Sequence, residues 1–211
     1  MNFLPFGTVY GTLLNFRREV DAWQDRAQQP PYKAAPQAPV LYVKTANTWT
    51  THGQPIAVPA SVPQVEIGAT AGLVMGAANT VAQVVLMNDL SVPHASFFRP
   101  PVKFKCLDGF LGIGAQAVAL ASVADLSALR LTVKVNGAVV QEVDFAQLVR
   151  NPSQLVTDVS AFMTLRAGDV LMVGCDVLPS GVRPMAAVGD RIDIDAPGFP
   201  TLSHWLVKEA A

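Results

Sequence analysis

Sixteen prolines and fifteen glycines cut this 211-residue chain into short apolar runs. Long helices do not survive punctuation of that density: proline removes an amide donor, and glycine raises the entropy cost of ordering the backbone. Short strands between turns do survive it, so the pattern predicts a strand-rich fold. Residues 9–14 read as a strand, and residues 40–44, 67–75 and 81–87 as buried strands. Residues 129–135 and 139–143 flank Asn136-Gly137, whose tolerance of positive φ suits a tight hairpin. Gly168-Asp169 and Gly189-Asp190 are turns feeding strands at 170–173 and 191–194, and 202–207 is the last strand. Two segments read as helix. Residues 17–27 place Val20 and Trp23 on one face. Residues 153–163 place Leu155, Val159 and Phe162 at helical spacing, with Asn151 or Ser153 as the cap. Between the first helix and the second strand, residues 29–39 form a proline-rich connection. No shift in composition marks a linker. The expectation is one domain over 1–211, with 1–60 separable as an amino-terminal lobe on a core of 61–211.

Composition narrows the function classes. Hydrophobic residues make up 51% and charged residues 15%, where about 25% charged is usual. That excludes an intrinsically disordered chain. Fifteen Lys and Arg against sixteen Asp and Glu exclude a nucleic-acid protein that works by bulk charge. Scarce charge points instead to a surface partly covered by another subunit. The two cysteines, Cys106 and Cys175, match no zinc or redox spacing and read as half-buried thiols in a reducing compartment. Met1 to Gly7 lacks the basic region of a signal peptide. The most apolar stretch, 72–87, is broken by Asn79, Thr80 and Gln83, so no membrane span is expected. The expected setting is the cytoplasm.

Nucleotide-binding glycine loops, a nucleophile elbow and a zinc-protease motif are all missing, and His52, His94 and His204 stand apart from one another. One polar cluster stands out. Asn88-Asp89 terminates an apolar strand and is followed by Arg99, Lys103, Lys105 and Asp108. Such a group suits an anionic ligand or a metal, but these residues alone favour a capped strand end beside a solvated basic face.

Asn88-Asp89-Leu90-Ser91, followed by Lys105-Cys106-Leu107-Asp108-Gly109-Phe110-Leu111-Gly112-Ile113-Gly114, resembles the fumarylacetoacetate hydrolase family. That family carries Asn-Asp-x-Ser and then Lys-x-x-Asp-x-Phe-x-Pro-Ile-Gly. Leu14-Asn15-Phe16-Arg17, Leu41-Tyr42-Val43-Lys44, Val135-Asn136-Gly137, Leu165 to Val170 and Val188 to Ile192 resemble further family segments in order. Within the family, Leu14 to Gln24, Pro31 to Ala34 and Ser96 to Pro100 resemble the amino-terminal half of a two-part decarboxylase/isomerase of aromatic catabolism. In some forms of that enzyme the two halves are separate subunits.

The resemblance implies a mainly β (α+β) fold, a mixed β-sandwich roll with two or three short helices. It also implies Mg²⁺ or Mn²⁺ held by a Glu-x-Glu pair and by the aspartate of the Asn-Asp turn. Residues i and i+2 of a strand share a face, so two such carboxylates converge on one ion, and hard oxygen ligands suit these cations. This chain departs from the pattern. Gly68 and Thr70 stand where the two glutamates belong, leaving Asp89 as the remaining family ligand. Glu66 lies one pleat repeat from Gly68, about 6.6 Å along a strand. Arg17-Arg18-Glu19 replaces the family's histidine, and Gly174-Cys175-Asp176 replaces its Gly-Thr-Pro loop. The expected substrate contacts are Lys105 and Asp108, with Lys44 and Arg17 as weaker candidates likelier to be solvated. The metal is expected not to be held by this chain alone. The partners implied are a small di- or tricarboxylate substrate and either a second copy or a homologous subunit with an intact metal site.

Overall fold

The structure is a computed structural model that describes residues 2–77, 79–94, 96, 101–122 and 125–210. Its regular structure is mainly strand. The larger sheet contains β1 (Val9–Leu13), β2 (Val40–Lys44) and β3 (Trp49–Thr51). The smaller sheet takes β4 (Pro55–Val58), while β5 (Val65–Glu66) pairs with a short strand introduced below. The larger sheet continues with β6 (Ala69–Met75), β7 (Val81–Asp89), β8 (Leu111–Ile113) and β9 (Val118–Ala119). A hairpin of β10 (Arg130–Val135) and β11 (Ala138–Asp144) belongs to the smaller sheet, and β12 (Val170–Met172) to the larger. β13 (Met185–Ala186) is the partner of β5, and β14 (Arg191–Asp195) and β15 (Leu202–Lys208) complete the smaller sheet. The strand order is β2-β1-β12-β6-β7-β8-β3 in the first sheet, with β9 beside β7, and β11-β10-β14-β15-β4 in the second. Both sheets are mixed: β1/β12, β3/β8 and β4/β15 are parallel, and the other pairs are antiparallel.

The near-continuous apolar run of β6 has a physical reason. All seven of its residues are buried, because both faces of the larger sheet are covered. Ala69, Ala71, Leu73 and Met75 join a first core cluster that runs from Phe16 to Leu206. Val74, with Val85, Met87, Val9, Leu13, Tyr42 and Met172, packs into a second cluster on the opposite face. The polar groups that matter below lie on this second face, where Gly11 opposite Tyr42 and Val9 opposite Lys44 set the register of β1 and β2.

Among the described residues three α-helices decorate the sheets. α1 (Arg17–Ala27) follows a turn held by Asn15, whose Nδ2 donates to the Val173 carbonyl at 2.8 Å and to the Arg150 carbonyl at 3.1 Å. α2 is a single turn, Val102–Lys105. α3 (Pro152–Ser160) is capped by Asn151, which accepts from the Gln154 amide, and Pro152 occupies the first turn, where its missing donor costs nothing. It stops before the expected residue 163, and Phe162 is left 61% exposed. The Asn136-Gly137 turn forms as read, both residues at positive φ of 52° and 83°. β3 and β4 were not expected from sequence. Of the basic stretch, Lys103 is exposed and Lys105 is buried, both in the helical turn α2. Among the described residues no helix is long and apolar enough to cross a membrane.

Candidate functional site

Asp89 is the last residue of β7, and its side chain is fully buried. A lone carboxylate in that environment would lose its charge. A helical turn, a strand and a loop bring cations to it instead. Lys105, the final residue of α2, places Nζ 2.6 Å from Oδ2. Lys44, the final residue of β2, places Nζ 3.0 Å from Oδ1. Arg183 lies 3.8 Å from Oδ2. The Tyr42 hydroxyl, two residues before Lys44 and so on the same face, donates to the same Oδ2. Burial works to raise the Asp89 pKa, but the charges of Lys105, Lys44 and Arg183 outweigh it and hold the carboxyl well below the usual range. Burial, then the neighbouring carboxylate, raises the Tyr42 pKa.

Lys44 was expected to be solvated, and it is not. Its side chain has no exposure, and its ammonium donates to the carbonyls of Leu90 (3.2 Å), Phe110 (2.7 Å) and Lys105. Those bonds tie three chain segments together around Asp89. Burial lowers the Lys44 pKa.

A second carboxylate enters from α1. Glu19 is 2% exposed and faces Arg183, with Oε1 3.8 Å from Nη2. Burial pushes its pKa up to about 7 against the pull of the guanidinium. Neither Glu19 nor Arg183 was singled out from sequence. Glu19 carried one available signal, its place in the stretch where the family's histidine is missing. Arg183 sits in the loop Ser180-Gly181-Val182-Arg183-Pro184, which matches no motif. In front of Lys105 and Arg183 opens a cavity of about 620 Å³, also lined by Arg18, Trp23, Glu66 and His94. Arg18 is paired with the buried Asp176. Cys175 lies beside Asp89, and burial pushes its thiol up to about 12, the opposite of an activated nucleophile.

The other sequence candidates are placed elsewhere. Asp108 is exposed and accepts from the Asn47 side chain at 2.6 Å. Arg17 is an exposed residue at the start of α1. Neither lines the cavity, where Arg18 takes the position facing inward. Arg99 and the rest of 97–100 lie outside the described residues.

The residues present do not fit a divalent metal. Among the described residues no group of three His, Cys, Asp or Glu side chains converges on one point. Both oxygens of Asp89 face cations already. Glu66 accepts from the Ser91 hydroxyl at 3.0 Å. The position opposite Asp89 is closed as well: a Cβ on Gly68 would lie 2.3 Å from the Asp89 carbonyl oxygen and 3.0 Å from Cys175 Sγ. Thr70 is buried and offers only a hydroxyl.

The family described as fumarylacetoacetate (FAA) hydrolase C-terminal matches residues 8–207. The chain belongs to this family. It is 38% identical to the 4-hydroxyphenylacetate degradation bifunctional isomerase/decarboxylase of Escherichia coli, over 96% of this chain and 48% of that protein. The chain therefore spans about half the length of that relative. Solved structures of fumarylacetoacetate hydrolase family type share the fold. The 2-hydroxyhepta-2,4-diene-1,7-dioate isomerase of Mycobacterium marinum superposes with a TM-score of 0.76 at 22% identity, covering 97% of this chain and 75% of the other. The maleylpyruvate hydrolase of a Sphingobium species, solved with manganese(II) and pyruvate, gives 0.75 at 18% identity, covering 96% and 71%. The mainly β, α+β roll expected from the sequence is the fold observed.

Proposed function

We propose that this chain is the amino-terminal-type subunit of a 5-oxopent-3-ene-1,2,5-tricarboxylate decarboxylase and 2-hydroxyhepta-2,4-dienedioate isomerase in 4-hydroxyphenylacetate catabolism. In that role it supports a homologous subunit that carries the intact acidic triad, and it lacks a metal centre of its own. The likeness over half of a bifunctional relative supports the pathway. The observation that carries the supporting role is the state of Asp89. The one acid left of the family's three is neutralised internally by Lys44 and Lys105. An internal ammonium cannot act as the Lewis acid that stabilises an enolate. The low charge content of the chain fits a large shared interface.

The test is reconstitution. The isolated chain is titrated with Mg²⁺ and Mn²⁺ by calorimetry, and decarboxylation is assayed with and without the metal-competent homologue. The proposal expects no saturable uptake of either ion and turnover only in the mixture. Stoichiometric metal binding by the isolated chain, or turnover without the partner, overturns it.

A further inference from the structure

We propose that Asn136 is a latent site of spontaneous deamidation, held unreacted in the folded chain by a clamp from the turn ahead of β14. The inference does not depend on the reading of the metal site.

The chemistry begins with the dipeptide. The main-chain nitrogen of the residue after an asparagine can attack the side-chain Cγ. A new C–N bond closes a five-membered succinimide ring and the Cγ–Nδ2 bond breaks. The proton lost by the attacking amide is made good on the departing nitrogen, which leaves as ammonia. Water then opens the ring at either carbonyl and gives aspartate or isoaspartate. One water is consumed and one ammonia released. Glycine hinders the attack least, because it has no Cβ and turns freely about φ. Asn136-Gly137 is the one Asn-Gly pair in the chain.

Burial does not protect this pair. Both residues are exposed, and a Cβ built on Gly137 would meet no atom within 4 Å. The restraint comes from the bonding of Asn136 itself. Its Oδ1 accepts from the Arg191 amide at 2.9 Å, and its Nδ2 donates to the Asp190 carboxylate at 2.7 Å. Asp190 is anchored in turn, because its other carboxylate oxygen accepts from the Ala187 amide at 2.7 Å. The main chain is held as well: the Asn136 amide donates to the Arg191 carbonyl at 2.9 Å, and Val135 pairs with Ala138 across the hairpin. Closing the ring turns Asn136 about both its Cα–Cβ and Cα–C bonds. That motion breaks the two carboxamide bonds, of which the one to Asp190 is charge-assisted.

The reaction also has a structural consequence. An aspartate at 136 has no donor for Asp190 and sets a second carboxylate opposite it, so like charges replace a hydrogen bond. The hairpin then loses its side-chain tie to the turn that starts β14.

The test incubates the full chain in mildly alkaline buffer, folded or unfolded in urea. Deamidation is followed by the mass of tryptic peptide 135–150, in which Asn136 is the one asparagine. Isoaspartate is read by labelling with an isoaspartyl methyltransferase. The folded chain is expected to react about tenfold more slowly than the unfolded one, and Asp190→Ala to recover about tenfold in rate while still folded. Where Asp190→Ala does not fold, Asp190→Asn keeps an oxygen opposite Asn136 without the charge and is expected to react several-fold faster than the native chain. Leu155→Ala loosens the core from α3 without touching the turn, and its rate is expected to stay near the native one. Equal rates in the folded and unfolded chains, an unchanged rate in the folded Asp190 variant, or an equal rise in Leu155→Ala overturns the proposal.

Discussion

Asp89 shows what a single retained residue does when its partners change. On the proposed reading, in which Gly68 and Thr70 stand where the family has two glutamates, its charge is balanced from inside the protein by Lys44 and Lys105. Removing one member of a buried ionic group leaves the rest uncompensated, which costs about 3–5 kcal/mol. Asp89→Asn is therefore expected to destabilise the fold by that amount in urea unfolding, equally with and without EDTA. A loss that appears only when metal is present would contradict the internal pairing. Gly68 gives a second prediction at this scale. A methyl group there meets a main-chain oxygen, which cannot swing aside as a flexible side chain does. Gly68→Ala is expected to cost about 1–3 kcal/mol through overpacking, seen as a lower urea midpoint at unchanged slope. Sequence reading found Asp89 and Lys105 because they sit in motifs. It missed Tyr42 as a participant, and it missed Glu19 and Arg183, because 164 positions separate those two in sequence and only the fold brings them together. Lys44 was read as a weaker candidate, likelier to be solvated, and it is buried. Nothing local records that the second face of the sheet is covered.

Among the elements, α1 and β15 each bury one titratable group, and the two act in opposite senses. Glu19 on α1 has its pKa raised from 4.5 to about 7, so between those values the folded state binds more protons and stability rises as pH falls. His204 on β15 is 1% exposed, with Nδ1 2.9 Å from the Gln54 carbonyl oxygen. Burial lowers its pKa from 6.5 to about 4, so between those values the unfolded state binds more protons and stability falls as pH falls. Each effect is about 3 kcal/mol at 1.36 kcal/mol per pKa unit. They oppose each other across most of the mildly acidic range, so the native protein is expected to show a shallow profile there. Glu19→Gln removes one side of the balance. Its unfolding free energy, measured in urea from pH 7 to pH 4, is expected to fall more steeply than that of the native chain. Parallel profiles would refute the assignment. The elements were legible where the local signal was strong: the Asn136-Gly137 hairpin and the Asn151 cap need only neighbouring residues. β3 and β4 were not. Trp49-Thr50-Thr51 and Pro55-Ile56-Ala57-Val58 are short, and their partners, β8 and β15, lie far along the chain.

For the whole molecule, the two-faced larger sheet is the organising feature. β6 and β7 pair along their length and have both faces packed. Their amides are expected to exchange with solvent only through global unfolding, as the slowest group in native-state hydrogen exchange. The amides of β11, at the rim of the smaller sheet, are expected to exchange earlier through local opening. Equal protection of the two would mean that the sheets open as one unit. The fold class was readable because strand patterning and punctuation agreed throughout the chain. At the site, the sequence offered Asp89 and Lys105, which the fold brings together. The rest of the cluster is built from β2, α1 and the 180–184 loop, and no one of these carries the pattern alone.

The closed space at Gly68 also bears on how such a protein could regain what its relatives have. Writing glutamate at 68 and 70 restores the letters of the family pattern but not a vacancy for the ion. The first of those acids would have to displace a peptide oxygen of the neighbouring strand, and two lysines would still hold the aspartate. On the proposed reading, a metal site here needs the main chain beside Gly68 re-routed, and not two carboxylates alone.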